Sequence, residues 1–477
     1  DFSFSRLQHF ELMKTPFSTS RRSFLGQASC AALGSATLFS SFFNLKGAGL
    51  LASPAHRMML PRDSSYKAMV CILLAGGNDS FNMLVPREAN AFQTYEQTRS
   101  NMSLKQADLL PLSGPEQLGL HPSMPEVQQL YEQNKVAFVL NTGTLIEPVT
   151  NRQTFENRSH QLPLGLFSHA DQIMQWQTSL PQSRSANGWG GRLADLMQAS
   201  NQSQDISMNI SLSGNNAFQA GNQVVEYTIT PGGSTGITGF GQQDPINQIR
   251  TAAINSLLEQ QYQDVFKQTY ADITRQAQTN HELFSSAVEQ VQVNTLFSPT
   301  YLSQSMAMIA KTIAAREVLG MSRQTFFITV GGWDHHDELL DTQAGMLSMV
   351  SAALGEFQAA MGELGVEDQV TTFTISDFAR TLTSNGNGTD HGWGGNALVM
   401  GGAVNGGQTY GQYPDLTLNH PLDVGGGVLI PTLSTDEYFA ELALWFGVAP
   451  SELSLVLPNL GTFYAASSGE APIGFMN

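Results

Sequence analysis

The stretch TVGGWDHHDELL, residues 329–340, places Asp334, His335 and His336 side by side directly after an apolar run. The chain has only ten histidines and 13% charged residues, so three adjacent ionisable groups are unusual for it. Carboxylates and imidazoles are good ligands for divalent metals, and an imidazole also exchanges protons near neutral pH. The stretch therefore predicts either one part of a metal site or, more simply, a polar turn between a strand and a helix.

Two further stretches have the same character. The segment SDFARTLTSNGNGTDHGWGG, residues 376–395, contains Asp377 and the dipeptide Asp390-His391, and Asp79 follows the apolar run YKAMVCILLAGGN. If they converge, so many carboxylates and imidazoles favour a bound cation such as Zn²⁺, Mn²⁺ or Mg²⁺. Two such ions about 4 Å apart can clamp both oxygens of an in-line phosphoryl or sulfuryl displacement. The simpler interpretation of Asp79 is a turn aspartate.

The strands and helices that must position these residues alternate along the chain as in an α/β protein. Apolar runs such as YKAMVCILLA, QTFFITV and QVTTFTIS alternate with glycine-rich turns and helical segments such as 342–362. This alternation predicts a three-layer α/β fold, with a mostly parallel central sheet and helices on both faces. Because ligands of such sheets gather at the carboxyl ends of the strands, we expect the carboxylates of Asp79, Asp334 and Asp390 to lie within about 10 Å of one another, as a shared two-metal site requires. Asp377 is expected on the same edge.

Residues from about 201 to 300 interrupt this alternation of strands and helices. Asn, Gln, Ser, Thr and Gly dominate up to about 245, where one alternating segment, ISMNISLSG, predicts a strand. From 246 the sequence is helical by its periodicity, and such polar helices are typical of positions outside a sheet. We expect a single domain over 56–477, in which this polar, partly helical insertion packs outside the central sheet.

The first 55 residues resemble an export signal. Arg21 and Arg22 in STSRRSFLGQASCAALGSATLFSSFF are followed by Phe-Leu and about twenty uncharged residues, and small residues near Ser53 suit cleavage. The pattern predicts a twin-arginine signal peptide, preceded at 1–12 by residues upstream of the true start. Such a signal implies export to the periplasm or cell envelope of a bacterium. The alternative is an uncleaved membrane anchor, because residues 24–45 are just long enough to span a bilayer.

The net charge limits the expected partners. The chain has a formal net charge of −17, and residues 56–477 carry −20, because 1–55 hold five basic and two acidic residues. This charge repels phosphate backbones and anionic lipids, so we expect no nucleic acid partner and no membrane contact beyond an uncleaved leader. It also repels an anionic substrate unless bound cations invert the local potential. With only Cys30 and Cys71, no disulfide framework is predicted.

Six sequence blocks resemble a known family, the exported bacterial proteins catalogued as domain of unknown function 1501. The blocks, in the family's order, are LLAGGNDSFNMLVP, SHADQIMQWQT, GWGGRLAD, GGWDHHD, SDFARTL and GTDHGWGG…VMGGAVNGG. The resemblance covers about residues 65–450 and implies an alkaline phosphatase-like fold, that of the phosphatase and sulfatase superfamily. In that superfamily an Asp ends the first strand, and a Ser or Thr nucleophile heads a helix. An Asp/His pair binds one metal, and an Asp-His dipeptide binds the other.

Carried onto this chain, the resemblance implies a set of metal ligands. The metal would be Zn²⁺, Mn²⁺ or Mg²⁺. These ligands are Asp79, Asp334, His336, Asp390 and His391. The chain departs from the superfamily at two of these points. The Asp-to-His spacing at 334–336 is shorter than usual, and only His420 follows His391 as a candidate for the final histidine ligand.

The resemblance also implies that Ser168 is the catalytic nucleophile. It precedes a predicted helix, where the helix dipole and free N–H groups favour an anion. Ser168-His169 is not a diagnostic nucleophile motif, however, and Ser168 can equally serve as a helix cap. Arg380 is expected either to bind the substrate anion or to form an ion pair with Asp377 beneath the site. His335 is expected to point away from its neighbours and to have no role.

Two functions from different classes follow. The first is an exported metal-dependent hydrolase that acts on a phosphate or sulfate ester, either a small molecule or a polymer. The second is a non-catalytic cell-envelope scaffold or binding protein that keeps the fold without turnover. The absent final histidine, the undiagnostic Ser168 and the polar insertion at 201–300 favour the second. Bound cations offsetting the negative charge favour the first.

Overall fold

A computed structural model of the chain describes residues 65–477. The predicted twin-arginine leader over 1–55 lies outside the described residues. Among residues 65–477, no helix combines the length and apolar character that crossing a bilayer requires.

Fourteen strands are present in the described part of the chain. In chain order they are β1 Lys67–Ala75, β2 Leu84–Pro86, β3 Leu110–Pro111, β4 Leu118–Leu120, β5 Val136–Gly143, β6 Asn209–Ser211, β7 Tyr227–Thr228, β8 Arg323–Gly331, β9 Val370–Ser376, β10 Arg380–Ser384, β11 Thr389–His391, β12 Gly395–Met400, β13 Gln408–Tyr410 and β14 Leu433–Ser434. Nine of them form a central sheet in the order β13-β5-β12-β9-β1-β8-β6-β7, with β14 also paired to β5. Strands β2, β4 and β3 form a small antiparallel sheet, and β10 pairs with β11 as a hairpin.

Helices connect these strands. The α-helices are α1 Ser80–Met83, α2 Ala89–Arg99, α3 Pro125–Glu132, α4 Arg152–Glu156, α5 His169–Thr178, α6 Trp189–Met197, α7 Pro245–Glu259, α8 Val265–Glu289, α9 Tyr301–Ala314, α10 Leu339–Glu363, α11 Thr435–Phe446 and α12 Leu453–Val456. Short 3₁₀ helices lie at Ser100–Met102, Gln106–Asp108, Gln198–Ser200, Glu367–Gln369, Pro450–Glu452 and Leu460–Thr462.

The central sheet is mostly parallel, and both of its faces are covered. Only β12 runs against its neighbours, β5 and β9, whereas the other pairings within the sheet are parallel. Successive side chains of β1 alternate between two apolar cores, because side chains of a strand point to opposite faces. Val70 and Ile72 pack in one core with residues of α9 and α10, and Met69 and Cys71 pack in the other with residues of α6 and α11. The predicted three-layer α/β fold is therefore confirmed.

The region at 201–300 differs from the prediction in one respect. Strand β6, which lies inside the predicted ISMNISLSG strand, pairs with β8 and, with β7, extends the central sheet at its edge. Only the helical part, α7 and α8, lies outside the sheet. The expectation that the whole insertion packs outside was wrong because a three-residue strand needs only one free sheet edge for its backbone hydrogen bonds.

The carboxyl ends of β1, β8 and β9 lie level with one another. Ala75 is in register with Gly331, and Leu74 with Ser376, so the turns that follow these strands meet at one edge of the sheet. The approach is closest at Gly76, whose φ is +124°, because a Cβ there would lie 2.4 Å from the backbone nitrogen of Asp334. A glycine is therefore required at 76 to bring the turns together.

Candidate functional site

Three imidazole rings converge at this edge of the sheet. The Nε2 atom of His391 lies 3.1 Å from Nε2 of His169 and 2.9 Å from Nε2 of His336. His169 is the first residue of α5, His336 follows β8, and His391 ends β11. Three segments far apart in sequence therefore direct the same ring atom toward one point.

The carboxylate of Asp334 completes the group. Its Oδ1 atom lies 3.1 Å from Nε2 of His336 and 3.5 Å from Nε2 of His391, and its Oδ2 atom lies 3.4 Å from Nε2 of His169. Burial opposes ionisation of Asp334, but the hydrogen bond and charge of Arg380 hold the pKa of the carboxyl below its ordinary value. The group is thus an anionic oxygen facing three ring nitrogens, named here the Asp334 cluster.

The other ring nitrogen of each histidine has an oxygen partner. Nδ1 of His169 lies 2.6 Å from Oδ2 of Asp377, and Nδ1 of His391 lies 2.8 Å from the carbonyl oxygen of Phe167. Nδ1 of His336 lies 3.2 Å from Oδ1 of Asp390. The acceptors at 2.6 and 2.8 Å favour a proton on Nδ1 of His169 and of His391, whereas His336 has a carboxylate oxygen beside each ring nitrogen, Asp390 at Nδ1 and Asp334 at Nε2.

With the proton on Nδ1, His169 and His391 direct their Nε2 lone pairs toward each other and toward the Asp334 carboxylate. Lone pairs about 3 Å apart repel unless a proton or a cation lies among them. Metal-ligating histidines usually donate their other N–H to a carboxylate or a backbone carbonyl in this way. The hydrogen bonds to His169 and His391 therefore have the pattern that metal-ligating histidines usually show.

The separations also fit a metal ion. With metal–ligand distances of about 2.0–2.1 Å, ligand atoms at the corners of a tetrahedron lie about 3.3–3.4 Å apart. One ligand atom from each of His169, Asp334 and His391 lies within 4.8 Å of the other two. His336 contacts this trio through His391 and Asp334, at its solvent-exposed side. Burial also lowers the pKa of His391, which favours the neutral ring that a metal requires.

His169 was missed by the sequence reasoning, which considered only its neighbour Ser168. Its place at the start of a predicted helix, directly after Ser168, could be predicted, but no residue of this segment shows which strand ends the ring faces. The backbone that places it is unusual, because Phe167 has a φ of +73°, rare for a residue with a side chain. The N–H of Phe167 donates to Oε1 of Gln172 at 2.7 Å, which fixes this turn.

Asp377 lies beneath His169 rather than in an ion pair with Arg380. Its side chain is fully buried, and its second oxygen accepts the N–H of Gly76 at 3.0 Å. Burial raises the pKa of Asp377 despite these hydrogen bonds. The carboxylate orients His169 from below and has no solvent-facing side.

The side chain of Arg380 is also fully used in contacts within the protein. The prediction that it binds an anion is therefore corrected. Arg380 donates to Oδ1 of Asp334 at 2.6 Å, to the carbonyl oxygen of Gly76 and to Thr389. Its side chain has no exposed surface. Arg380 therefore holds Asp334 in place and is not accessible to a substrate.

Asp79, predicted as a metal ligand, has another role. Its carboxylate forms a fully buried ion pair with Arg99 and accepts the N–H of Asn82, which caps α1. Arg99 also donates to the Asn82 side chain and to the carbonyl of Thr381. Because a buried arginine already neutralises this carboxylate, Asp79 is not available to a cation.

Ser168 and Asp390 lie close to the cluster without entering it. Ser168 occupies the N-cap position of α5, but its side chain makes no capping hydrogen bond to the helix, so the alternative interpretation holds for its position only. In the described chain, no hydrogen bond joins the Ser168 hydroxyl to any of the three imidazoles. Asp390 accepts from Nδ1 of His336 and from the side chain of Asn385, so it orients a ligand instead of serving as one.

His335 and His336 diverge, as expected for adjacent residues in an extended turn. The His335 residue is 3% exposed beside Trp333, whereas the His336 side chain is 43% exposed at the mouth of the site. Burial lowers the pKa of His335. Of the five predicted ligands, the structure therefore brings together Asp334, His336 and His391, and it adds His169.

Fold and site together define an α/β protein with a histidine–carboxylate cluster at the carboxyl edge of its sheet. The chain belongs to the family described as "Protein of unknown function (DUF1501)", which matches residues 66–448. No curated protein matches the chain.

Several solved structures resemble it at low identity. Ps i-CgsB, solved in complex with k-i-k-neocarrahexaose, is 11% identical, with 82% of this chain and 74% of that chain covered and a TM-score of 0.34. The PsFucS1 sulfatase from Pseudoalteromonas sp. is 11% identical, with 86% and 71% covered and a TM-score of 0.33. The lipoteichoic acid synthase LtaP from Listeria monocytogenes is 8% identical, with 77% and 75% covered and a TM-score of 0.29.

Proposed function

We propose that this protein is a metal-dependent hydrolase of phosphate or sulfate esters, with the Asp334 cluster as its metal site. One observation carries the proposal. Asp377 and the Phe167 carbonyl hold the Nδ1 atoms of His169 and His391, so the Nε2 atoms of these two rings and the Asp334 carboxylate face one another within 4.8 Å. A purely structural histidine cluster would gain more from N–H donors pointing toward acceptors than from opposed lone pairs.

The donor set indicates which metal fits. Two imidazole nitrogens and one carboxylate oxygen, from His169, His391 and Asp334, lie within 4.8 Å of one another, and this donor set suits Zn²⁺, with Mn²⁺ as the next candidate. Mg²⁺ prefers oxygen ligands and water, so it fits this set poorly. When bound, such an ion supplies Lewis acidity toward an ester oxygen and lowers the pKa of a water molecule.

The chain's own residues prepare the site for that chemistry. Phe378 packs against the rings of His169 and His391, with ring centroids 4.8 and 4.6 Å apart, and covers their inner side. Asp334 and His336 are 44% and 43% exposed, so the outer side is open to a substrate. One side is therefore closed and one is open, as a catalytic metal site requires.

Charge supports the same assignment. The chain carries a formal net charge of −17, which would repel a phosphate or sulfate ester. A divalent cation at the Asp334 cluster would invert the local potential where the ester must bind. We propose ester substrates, either small molecules or polymers, on this basis.

A second candidate function rests on a different observation. Arg380 has no exposed surface and therefore cannot contact a substrate, and Ser168 has no hydrogen bond to the histidines of the cluster that would activate it as a nucleophile. This favours a scaffold or binding protein that keeps the metal site for stability without turnover. Under this alternative the metal would raise stability and no ester would be cleaved.

Elemental analysis of the purified folded protein, followed by assays with 4-nitrophenyl phosphate and 4-nitrophenyl sulfate, tests the proposal. We expect at least one equivalent of zinc or manganese per chain, and cleavage of one ester that His391→Ala abolishes. His160→Ala, at a half-buried histidine outside the cluster, is the matched control and should keep both metal and activity. Metal without cleavage, or a stable parent that holds no metal and refuses Zn²⁺, would refute the hydrolase and favour the scaffold.

We also propose that the leader directs export by the twin-arginine route. Arg21 and Arg22 are the signature residues of that route. Replacing both with lysine should leave an unprocessed precursor in the cytoplasm, as measured by cell fractionation. Normal export of the double variant would contradict the leader assignment.

A further inference from the structure

The central sheet opens between β9 and β12 near its carboxyl edge. The two strands are paired at only two positions, Phe373 with Val399 and Thr372 with Met400. One residue further along β9, the N–H of Leu398 donates to the side-chain oxygen of Thr374 at 2.9 Å. A side chain thus takes the place of a backbone partner, and the strands separate before β9 reaches the turn that carries Asp377.

A cavity of about 20 Å³ lies where the two strands separate. Its wall is formed by β1, β5, β9, β12, α1, α5 and the turns beside them, and apart from the half-buried Ser376 every residue of the wall is buried. Phe378 belongs to the wall and also packs against the rings of His169 and His391. The cavity therefore lies directly behind the Asp334 cluster.

Two polar side chains of the wall have no hydrogen-bond partner among residues 65–477. These are the hydroxyl of Thr142, on β5, and the indole N–H of Trp176, on α5. The two residues are 1% and 4% exposed, so bulk water does not serve them. Burying a donor or an acceptor without a partner is costly, and proteins satisfy most such groups with ordered water where no protein atom is in reach. Both groups therefore require a partner inside the cavity.

The size and charge of the cavity limit what that partner can be. About 10–15 Å³ is enough for one water molecule, so a cavity of about 20 Å³ is too small for a larger organic ligand. The described residues that form the wall include no charged side chain, and an isolated ion is costly to bury without one. The N–H of Trp176 is a donor only, which also opposes a cation. A neutral molecule of the size of water remains.

We infer that this cavity binds one water molecule as a fixed part of the fold. The water accepts the N–H of Trp176 and donates to the hydroxyl oxygen of Thr142. The third partner is Ser80, also in the wall, whose hydroxyl accepts the N–H of Asn396 at 2.9 Å and keeps its own proton to donate. Three hydrogen bonds are typical of a buried water molecule.

This water joins α5 to the sheet. Its partners lie on α5, on β5 and on α1, three elements that otherwise meet only through side-chain packing around the cavity. Helix α5 begins with His169, so the water helps to hold that histidine at the Asp334 cluster. The consequence for a metal ligand rests on the proposed function, whereas the water site itself does not.

A crystal structure of the full chain, at a resolution that shows ordered water, tests the site directly. We expect one density peak within about 2.7–3.2 Å of both Nε1 of Trp176 and Oγ1 of Thr142. A cavity without such a peak would overturn the inference.

Thr142→Val distinguishes a hydrated cavity from a dry one in solution. Loss of a hydrogen bond to the water should raise the equilibrium constant for unfolding about 2- to 10-fold, as measured with urea. Thr372→Val is the matched control, because Thr372 is also a 1% exposed threonine of the central sheet with an unpartnered hydroxyl, but it lies outside the wall. Its replacement removes a buried unsatisfied group and should lower the constant. If Thr142→Val lowers the constant as Thr372→Val does, the Thr142 hydroxyl has no water partner and the inference fails.

Hydrogen exchange tests the connection between the water and α5. The amide protons of α5 should exchange faster in Thr142→Val than in the parent, relative to those of α9, which contributes nothing to the wall. Thr372→Val should leave this ratio unchanged. Equal ratios in all three proteins would overturn the connection. Neither metal nor ester cleavage enters these measurements, so their outcome is independent of whether the proposed hydrolase is correct.

Discussion

Three Nδ1 hydrogen bonds determine what the histidines of the site present to a ligand. Of the three acceptors, the carboxylate of Asp377 is the one whose loss should matter most, because it is fully buried and also accepts the N–H of Gly76. Both of its oxygens thus face a donor. An asparagine at 377 would have to direct its NH₂ group at one of these donors, which would displace His169 or reverse its tautomer.

Asp377→Asn should therefore weaken Zn²⁺ binding about 10- to 100-fold, the usual effect of losing a partner that orients a metal ligand. Competition with a chromophoric zinc chelator measures this affinity. Asp341→Asn makes the same charge change at an exposed position of α10 and should leave the affinity within about twofold. Equal affinities of all three proteins would show that Asp377 has no orienting role.

The two adjacent histidines should differ in how far their replacement reduces the rise in melting temperature that Zn²⁺ produces. His336→Ala removes an Nε2 atom from the cluster, so it should abolish most of the rise in melting temperature that Zn²⁺ produces in the parent. His335→Ala leaves a cavity and should lower the melting temperature with and without metal. The difference between the two conditions should remain, because the His335 ring lies outside the cluster. Melting curves that lose the zinc effect equally in both variants would contradict this assignment.

Part of the residue set of the cluster was predictable from the sequence for a clear physical reason. Asp334, His336 and His391 follow strands or sit in glycine-rich turns, and a parallel sheet gathers such turns at one edge. The role of Asp79 was not predictable, because its partner Arg99 lies twenty residues away on another helix. His169 was missed because nothing in its own segment shows which strand ends it will face.

At the scale of elements, one turn positions two members of the site. The turn that leads into α5 places His169, the first residue of that helix, and its Phe167 carbonyl orients His391. The turn is tight: Gly165 has a φ of +57°, and a Cβ there would lie 2.1 Å from a carboxylate oxygen of Asp171. Any displacement of this turn therefore moves both histidines together.

Gly165→Ala should consequently lower both stability and Zn²⁺ affinity. We expect a loss of about 1–2 kcal/mol in the free energy of unfolding, from the left-handed backbone and the clash with Asp171. Urea unfolding and zinc titration measure the two effects. Gly345→Ala is the control, because that helical glycine has no neighbour within 4 Å of the added Cβ and should gain up to about 1 kcal/mol. An unchanged zinc affinity in Gly165→Ala would mean that the turn does not position the ligands.

Elements with long apolar runs were predictable from the sequence, and the shorter ones were less so. Strands β1, β8 and β9 are continuous runs of buried residues, which is typical of parallel strands covered on both faces. The reversed direction of β12 was not predictable, because its sequence is as apolar as that of its parallel neighbours. Its pairing with β5 and β9 depends on contacts between residues far apart in the chain.

At the scale of the whole molecule, an acidic chain contains a carboxyl group deep in its interior. Asp436, in the first turn of α11, has no exposed surface, and burial raises its pKa to about 7 although Ser179 and the charge of Arg192 act against this rise. In the unfolded chain the same group has an ordinary pKa of about 3.9. Between these two values the folded protein holds a proton that the unfolded chain releases.

The sign of the pH dependence follows. This group's contribution to the free energy of unfolding is fully present below about pH 4 and declines as the pH rises toward about 7, by up to about 1.4 kcal/mol for each pH unit. Asp436→Asn, which cannot ionise, should flatten this decline, whereas the exposed Asp341→Asn should follow the parent. Urea unfolding between pH 5 and 8, with a chelator present to remove metal effects, measures the slopes. If the parent and Asp436→Asn lose stability in parallel over this range, the Asp436 carboxyl is ionised in the folded protein and the buried proton does not exist.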